Sequence, residues 1–290
     1  MKRTPATPGP TPGSPIRPDE GRTDSYRMET LDAPAELSRL DAQVRLVRPL
    51  ELDFLERAGL RRHHHLLDLG CGPGFFAVWA AQDLLPLGQV TGVDADPALL
   101  DIATAHAATV GARVTFRQGT AARIPLPDAA VDFAYARFLF QHLDAPADAL
   151  AEMRRVTRPG GTIALVDTDD GGLVVHPAPR GLPALLRASR DAQAARGGDR
   201  EVGRKLKALL HAAGLESPTA RSYSFSSEDV GGAAFVAITL GFKAQVLGPP
   251  WIDPAEVASV VDELQTLRDS PGFFGQALGI GAWARVPDAR

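Results

Sequence analysis

The chain reads as an α/β protein: a doubly wound, Rossmann-like, mostly parallel sheet of seven strands with helices on both faces, its last strand antiparallel, and a helical cap in front. Three observations predict this. Short apolar runs alternate with helical stretches through the middle of the sequence, the first run opens into a glycine turn that starts a helix, and the second run ends in an acid. Parallel strands need helical crossovers, and ligands bind in the crevice at the carboxyl ends of such strands.

From the front, Met1 to Pro18 hold six prolines among Thr, Gly and Ser, with Ile16 the one large aliphatic residue, so residues 1–23 read as a disordered Pro-rich tail. Residues 24–290 read as one domain, divided into a helical cap (24–62), a cofactor-binding core (63–167) and a substrate-side half (168–290) with an insertion at 227–276. In the cap, Leu37, Leu40, Val44 and Val47 fall on one helical face between Ala33 and Leu60, and Pro49 is expected to break the helix in two.

Strands are expected at Leu66 to Leu69, Val90 to Val93, Val114 to Phe116, Val131 to Ala136 and Ile163 to Val166. Helices are expected at Phe75 to Leu84, Pro97 to Thr109 and Asp148 to Val156, with Pro159-Gly160-Gly161 as a turn. Beyond Asp167 come helices at Leu182 to Ala195 and Gly203 to Ala213, a sixth strand at Arg221 to Phe225, a helix at Pro254 to Leu267 and a last apolar run at Ala277 to Val286.

Composition excludes several classes. A chain of 290 residues with 44% hydrophobic content buries a large core, and a net charge of −4 without a basic block argues against a nucleic-acid partner. A single cysteine, Cys71, excludes an internal disulfide and a multi-thiolate zinc site. No signal-peptide core and no apolar run of about 18 residues is present, so no membrane segment is expected and a cytoplasmic location is. Arginine makes up 27 of the 31 basic residues, a bias read as genomic.

The sharpest motif is Leu66-Leu67-Asp68-Leu69-Gly70-Cys71-Gly72-Pro73-Gly74-Phe75. Glycines at alternate positions let the backbone turn and approach a ligand, and the following helix start offers free N–H groups. The spacing is G-x-G-x-G, not the G-x-G-x-x-G of dinucleotide binders, and Asp68 beside the loop suits a cationic amino group better than a pyrophosphate. Asp94 closes the second strand, where a carboxylate can accept from both hydroxyls of a ribose, so loop and acid together read as a nucleoside site. A structural glycine turn with Asp96 as a helix N-cap is the plain alternative.

Residues 66–166 resemble the core of the class I S-adenosylmethionine-dependent methyltransferases, in the broad subgroup that includes ubiquinone and menaquinone methyltransferases and many natural-product enzymes. Four stretches carry the resemblance: Leu67 to Gly74; Val93-Asp94; Ile124-Pro125-Leu126-Pro127-Asp128 leading to Val131-Asp132-Phe133; and Arg154 to Thr162. It implies S-adenosylmethionine as cofactor and S-adenosylhomocysteine as product. Asp68, Gly70, Cys71, Gly72 and Gly74 would surround the methionine portion, Asp94 would hold the ribose, and Ala95 and Asp96 would lie beside the adenosine. Where relatives carry Gly-Asp-Ala after the third strand this chain has Gly119-Thr120-Ala121, so the adenine contact would pass to the Thr120 hydroxyl or the Ala121 N–H. Arg137 would border the cofactor or the substrate mouth, or else be a solvated rim arginine. Tyr26 and Gln43 belong to the front region that closes over the cofactor in related enzymes.

Methyl transfer from a sulfonium needs alignment and exclusion of water, and a hydroxyl acceptor also needs a base. His142 after the fourth strand is the candidate base, with a packing or substrate-contacting role as its alternative, and Asp167 is the second candidate. Asp167, Asp169 and Asp170 lack metal-ligand spacing and His63-His64-His65 points in diverging directions, so no metal is expected. His176 is a weaker alternative to His142. Phe235, Phe242, Trp251, Phe273 and Phe274 of the insertion could line an apolar acceptor pocket or simply cover the sheet, and Trp79 reads as core.

The expected function is S-adenosylmethionine-dependent O-methylation of a small molecule in secondary metabolism. N- or C-methylation, or a cyclisation that uses the bound cofactor without methyl transfer, are the alternatives. The expected partner is a small-molecule substrate, with homodimerisation left open.

Overall fold

The structure is a computed structural model and describes residues 33–241, 243–244 and 247–288. The expected Pro-rich tail and Tyr26 lie outside the described residues, as does Phe242.

The front helix α1 runs unbroken from Ala33–Arg57 through Pro49. A proline inside a helix costs about 3 kcal/mol, but burial of Val44 on one side of it and Glu51, Phe54 and Leu55 on the other holds the two halves on one axis. The expected break is therefore corrected. Strand β1 (His65–Leu69) leads into α2 (Phe75–Trp79), extended by a π-turn over Ala80–Leu84. Then come β2 (Gln89–Asp94), α3 (Pro97–Val110), β3 (Thr115–Gln118), β4 (Val131–Arg137), a 3-10 turn at Phe140–His142, α4 (Pro146–Val156) and β5 (Thr157–Thr168). Helix α3 starts as expected for Pro at its first turn, with Asp96 accepting from the Ala98 N–H at 2.9 Å.

The back half adds β6 (Val174–His176), α5 (Leu182–Ala194), α6 (Leu206–Ala212), β7 (Glu216–Ser226), the short helices α7 (Ser227–Val230) and α8 (Gly232–Val236), α9 (Pro254–Leu267) and β8 (Phe274–Arg285). The sheet order is β3-β2-β1-β4-β5-β8-β6, with β7 also paired to β8. Strands β1 to β5 are parallel, and β8 runs antiparallel to β5, β6 and β7. Gln276 of β8 pairs with Val174 on one edge and Ser226 on the other. The unexpected eighth strand, β6, therefore prolongs the β5 edge, and the sheet stays seven strands wide.

Alternation along the strands sorts two cores. Leu67 and Leu69 of β1 face α4 and α6 with Leu150, Met153, Leu206 and Leu210, whereas Leu66 faces α1 and α2 with Phe54, Phe76 and Trp79. Gly281 of β8 has no side chain because Phe54 occupies its place: a Cβ there would stand 2.5 Å from the ring. A third cluster joins α5, α8 and α9 through Leu185, Phe235, Val260 and Leu264 and props the insertion against the sheet. Among the described residues no helix is long and apolar enough to cross a membrane.

Candidate active site

The carboxyl ends of β1, β2, β4 and β5, the front helix and the back half enclose one cavity of about 290 Å³. Its floor is the β1–α2 loop. The N–H groups of Gly70 and Cys71 both donate to the Val93 carbonyl, at 2.8 and 3.1 Å, which ties the loop to β2. Gly70, Gly72 and Gly74 sit at φ of 73°, 51° and 74°, the left-handed region that glycine tolerates.

The three glycines serve different ends. A Cβ on Gly72 would meet nothing within 4 Å, so its backbone lines open space that a ligand can approach. A Cβ on Gly74 would stand 2.8 Å from the Ala103 Cβ and 2.9 Å from Phe116, so this glycine lets α2 pack on α3 and β3, and it does not line the cavity. A Cβ on Gly70 would press on Leu139 at 2.9 Å. Cys71 lines the cavity, but burial and the carboxylates of Asp68 and Asp94 push its thiol far above the usual range, so it is no nucleophile.

Asp94 uses both oxygens on the loop and its own turn: Oδ2 accepts from the Gly72 N–H at 2.8 Å and Oδ1 from the Asp96 N–H at 2.9 Å. Each oxygen keeps a lone pair for a ligand hydroxyl. Ala95 and Asp96 also line the cavity. Thr120 and Ala121 line a small recess of about 30 Å³ that shares Gly70, Asp94 and Ala95 with the main cavity.

Asp68 is buried with neither carboxyl oxygen hydrogen-bonded. Burial, against the pull of Arg137, raises its pKa to about 7. Arg137 is buried too: its Nε stands 3.0 Å from Glu51 Oε1 without hydrogen-bond alignment, and its Nε and Nη2 are unsatisfied. Glu51 comes from α1 and also accepts from the Tyr135 hydroxyl at 2.5 Å. At one end the cavity thus presents a carboxyl group without a hydrogen bond beside a guanidinium whose charge Glu51 offsets but whose Nε and Nη2 remain unsatisfied. Sequence reasoning missed Glu51, and the only signal for it was a carboxylate on the buried face of an amphipathic helix.

The two candidate bases are placed differently from expectation. His142 lines the cavity, but burial and the charge of Arg200 hold its pKa down to about 3. Its Nδ1 lies 3.1 Å from Gln193 Nε2, an amide nitrogen that also donates to the Gln141 carbonyl at 2.7 Å. A neutral imidazole that accepts at Nδ1 carries its proton on Nε2, so His142 is arranged as a donor and not as a base. Asp167 lies outside the cavity lining, between Val166 and Thr168, which line it. Period-two alternation turns it to the other face, where it accepts from the N–H groups of Gln141 at 3.1 Å and Thr168 at 2.8 Å. Burial raises its pKa to about 7. Its place is that of a staple between β5 and the 3-10 turn.

The expected aromatic pocket is also relocated. Phe235 and Phe273 are core, Trp251 and Phe274 are partly exposed, and none lines the cavity. Its walls instead carry Phe54, Phe76, Phe138, Tyr223 and Phe225. Gln43 lines the cavity, His176 does not, and Trp79 is core with the Arg48 guanidinium 5.1 Å from its ring centre. Among the described residues no group of three or more His, Cys, Asp or Glu is arranged to hold a metal.

This is the crevice site of a doubly wound α/β fold, and residues 67–165 match the model of the methyltransferase domain family. Over that stretch the chain carries a methyltransferase domain, as its motifs lead one to expect. It is 30% identical over 76% of its length to a 37.1 kDa protein of a Streptomyces fradiae transposon, covering 66% of that protein. It is 36% identical over 46% of its length to the malonyl-[acyl-carrier protein] O-methyltransferase of Serratia marcescens, covering 49% of it, and 33% identical over 57% to the 27-O-demethylrifamycin SV methyltransferase of Amycolatopsis mediterranei, covering 58%. The chain thus spans between 49% and 66% of the length of these three relatives. Among solved structures, the YcgJ protein of Bacillus subtilis superimposes with a TM-score of 0.52 at 19% identity, over 81% of this chain and 97% of that one. The [4+2]-cyclase SpnF does so with a TM-score of 0.55 at 24% identity, over 83% and 81%. Both share the fold.

Proposed function

We propose that the chain binds S-adenosylmethionine and transfers its methyl group to an oxygen of a small, largely apolar molecule. The observation that carries the reading is the pair of buried charged groups beside the glycine loop whose hydrogen bonds are unmade. An α-amino acid headgroup bears both an ammonium, for Asp68, and a carboxylate, for the open N–H groups of Arg137, and buried polar atoms without hydrogen bonds are costly enough that such a pair favours a zwitterionic ligand. Gly72 leaves room for it, Asp94 offers lone pairs for ribose hydroxyls, and the Thr120–Ala121 recess adjoins where the base would lie.

The sulfonium of the cofactor supplies an electrophilic methyl group. The chain's own part is alignment: Asp68 and Arg137 fix the headgroup, and the walls from α1, β7 and β8 exclude water from the acceptor half of the same cavity. His142, held neutral, would face an acceptor oxygen that enters already ionised, so that no proton has to leave the acceptor half during transfer. Two of the relatives are named as O-methyltransferases, which favours oxygen over nitrogen or carbon.

The test is incubation of the full chain with cofactor carrying a deuterated methyl group and a panel of hydroxylated polyketide and aromatic acceptors, read by mass spectrometry. Gain of one labelled methyl with equimolar S-adenosylhomocysteine is expected. Turnover of an acceptor with the cofactor intact would sink methyl transfer in favour of a cyclase-like use of the fold.

A further inference from the structure

The acceptor half of the cavity ends in a buried cationic cluster that cofactor binding does not use. Lys243 and Arg200 both line the cavity, with side chains only 4% and 10% exposed. They converge on one carboxylate. Lys243 Nζ lies 3.3 Å from Asp170 Oδ1 and 3.2 Å from the Thr239 carbonyl, and Arg200 reaches Asp170 from Nε at 3.0 Å and Nη2 at 3.2 Å while Nη1 donates to Gln141 Oε1 at 2.6 Å. The neighbouring Asp169 is taken by Arg204. Arg204 is also paired with Glu201, at 3.6 Å, and adds no excess charge, whereas Lys243 and Arg200 share the single carboxylate of Asp170.

The hydrogen bonds are also incomplete. Lys243 Nζ also stands 3.2 Å from Asp170 Oδ2, which gives its three donors three neighbours, whereas a guanidinium has five donors and two N–H groups of Arg200 remain after these bonds are counted. Burial, together with the charge of Arg200, lowers the Lys243 pKa to about 8 against the opposing pull of Asp170. The cavity that they line also carries apolar residues, among them Val44, Leu173, Phe225, Ile238 and Leu278. A cavity with two cations on one carboxylate and spare guanidinium donors in its wall is complementary to an apolar molecule that carries an oxyanion.

We infer that Lys243 and Arg200 form an anion-binding subsite that anchors a carboxylate, or an oxyanion of like geometry, on the acceptor and so selects small apolar acids. The inference rests on the methyltransferase reading for the word acceptor, but the subsite can be tested without turnover. In this chain lysine is scarce, four against 27 arginines, yet one of the four is the residue buried here.

The experiment is calorimetric binding to the full chain at pH 7 of two matched probe pairs: 2-naphthoate with 2-naphthalenemethanol, and 4-phenylbutyrate with 4-phenylbutanol. Each is titrated into wild type, Lys243→Met and Arg200→Met, with S-adenosylhomocysteine titrated separately into all three. At least one acid is expected to bind about tenfold or more tightly than its alcohol, and either substitution should erase that preference while alcohol and S-adenosylhomocysteine affinities stay within about twofold. Unchanged S-adenosylhomocysteine binding shows that the variants fold. Equal binding of acid and alcohol in both pairs, no acid binding at all, or an acid preference that survives both substitutions overturns the subsite. Failure of S-adenosylhomocysteine to bind wild type would instead strike the methyltransferase reading and leave the acid preference to be judged by itself.

Discussion

The Tyr135 hydroxyl of β4 donates to Glu51 of α1 across 84 residues of chain, and the same carboxylate stands 3.0 Å from Arg137. One buried carboxylate thus pins the front helix to the sheet and offsets the guanidinium that faces the cavity. Removing it leaves Arg137 as an uncompensated buried charge, a loss of about 3 kcal/mol or more. Glu51→Ala should lower the melting temperature by several degrees and weaken S-adenosylhomocysteine binding, whereas Tyr135→Phe should lower stability by about 1 kcal/mol and leave that affinity nearly unchanged. Calorimetry of both variants checks the pair, and equal effects on binding would show that Glu51 acts only as a structural tie.

Asp68 gives a pH signature. Its pKa is raised to about 7, so between the ordinary carboxylate range and pH 7 the folded chain holds a proton that the unfolded chain has released, and this group's contribution to stability falls as pH rises through that window. Asp68→Asn should therefore stabilise the ligand-free chain more at pH 8 than at pH 5, by an amount on the order of a few kcal/mol at most. Binding of an ammonium needs the ionised form, so wild-type affinity for S-adenosylhomocysteine should climb from pH 6 to pH 8 and the variant should lose that climb. Thermal melts and calorimetry at the two pH values decide it.

Two glycines two residues apart should fail differently. A side chain at Gly72 meets no protein atom, so Gly72→Ala should cost only the left-handed backbone strain, about 1–2 kcal/mol, and yet sharply reduce cofactor affinity. Gly74→Ala adds a Cβ collision with Ala103 and Phe116 to the same strain and should destabilise by roughly 2–5 kcal/mol. Denaturant unfolding paired with S-adenosylhomocysteine titration separates the two losses. If Gly72→Ala binds normally, the ligand does not approach the loop there.

His142 is expected to remain neutral. With its pKa held down to about 3, its ring resonances should not titrate between pH 5 and pH 8 in a proton NMR experiment in which His142→Gln identifies them. A midpoint near the ordinary histidine value would restore it as a candidate base.

The parts legible in the sequence are those fixed by local periodicity. The apolar run Leu66 to Leu69, the glycines that follow and the acid at Asp94 place the crevice without any long-range information, and helix α9 begins and ends where its proline and apolar spacing put it. What was not legible depends on distant packing. Lys243 meets Asp170 across 73 residues and Glu51 meets Tyr135 across 84, separations that no periodicity encodes. Asp167 was misplaced for a local reason: proximity to the rim was read without the strand's period, which sends 166 and 168 to the cavity and 167 away from it.

Val44, Val47 and Glu51 sit three and four residues apart on α1, so one rigid rod walls the acceptor half and anchors the partner of Arg137 in the cofactor half. A displacement that widens the first half slackens the second. The two ligands should then raise each other's affinity by the same factor, as linkage demands of any two sites that share a mobile element. Acceptor affinity measured with and without S-adenosylhomocysteine should therefore differ by the same factor by which the acceptor tightens S-adenosylhomocysteine, whichever ligand is seated first.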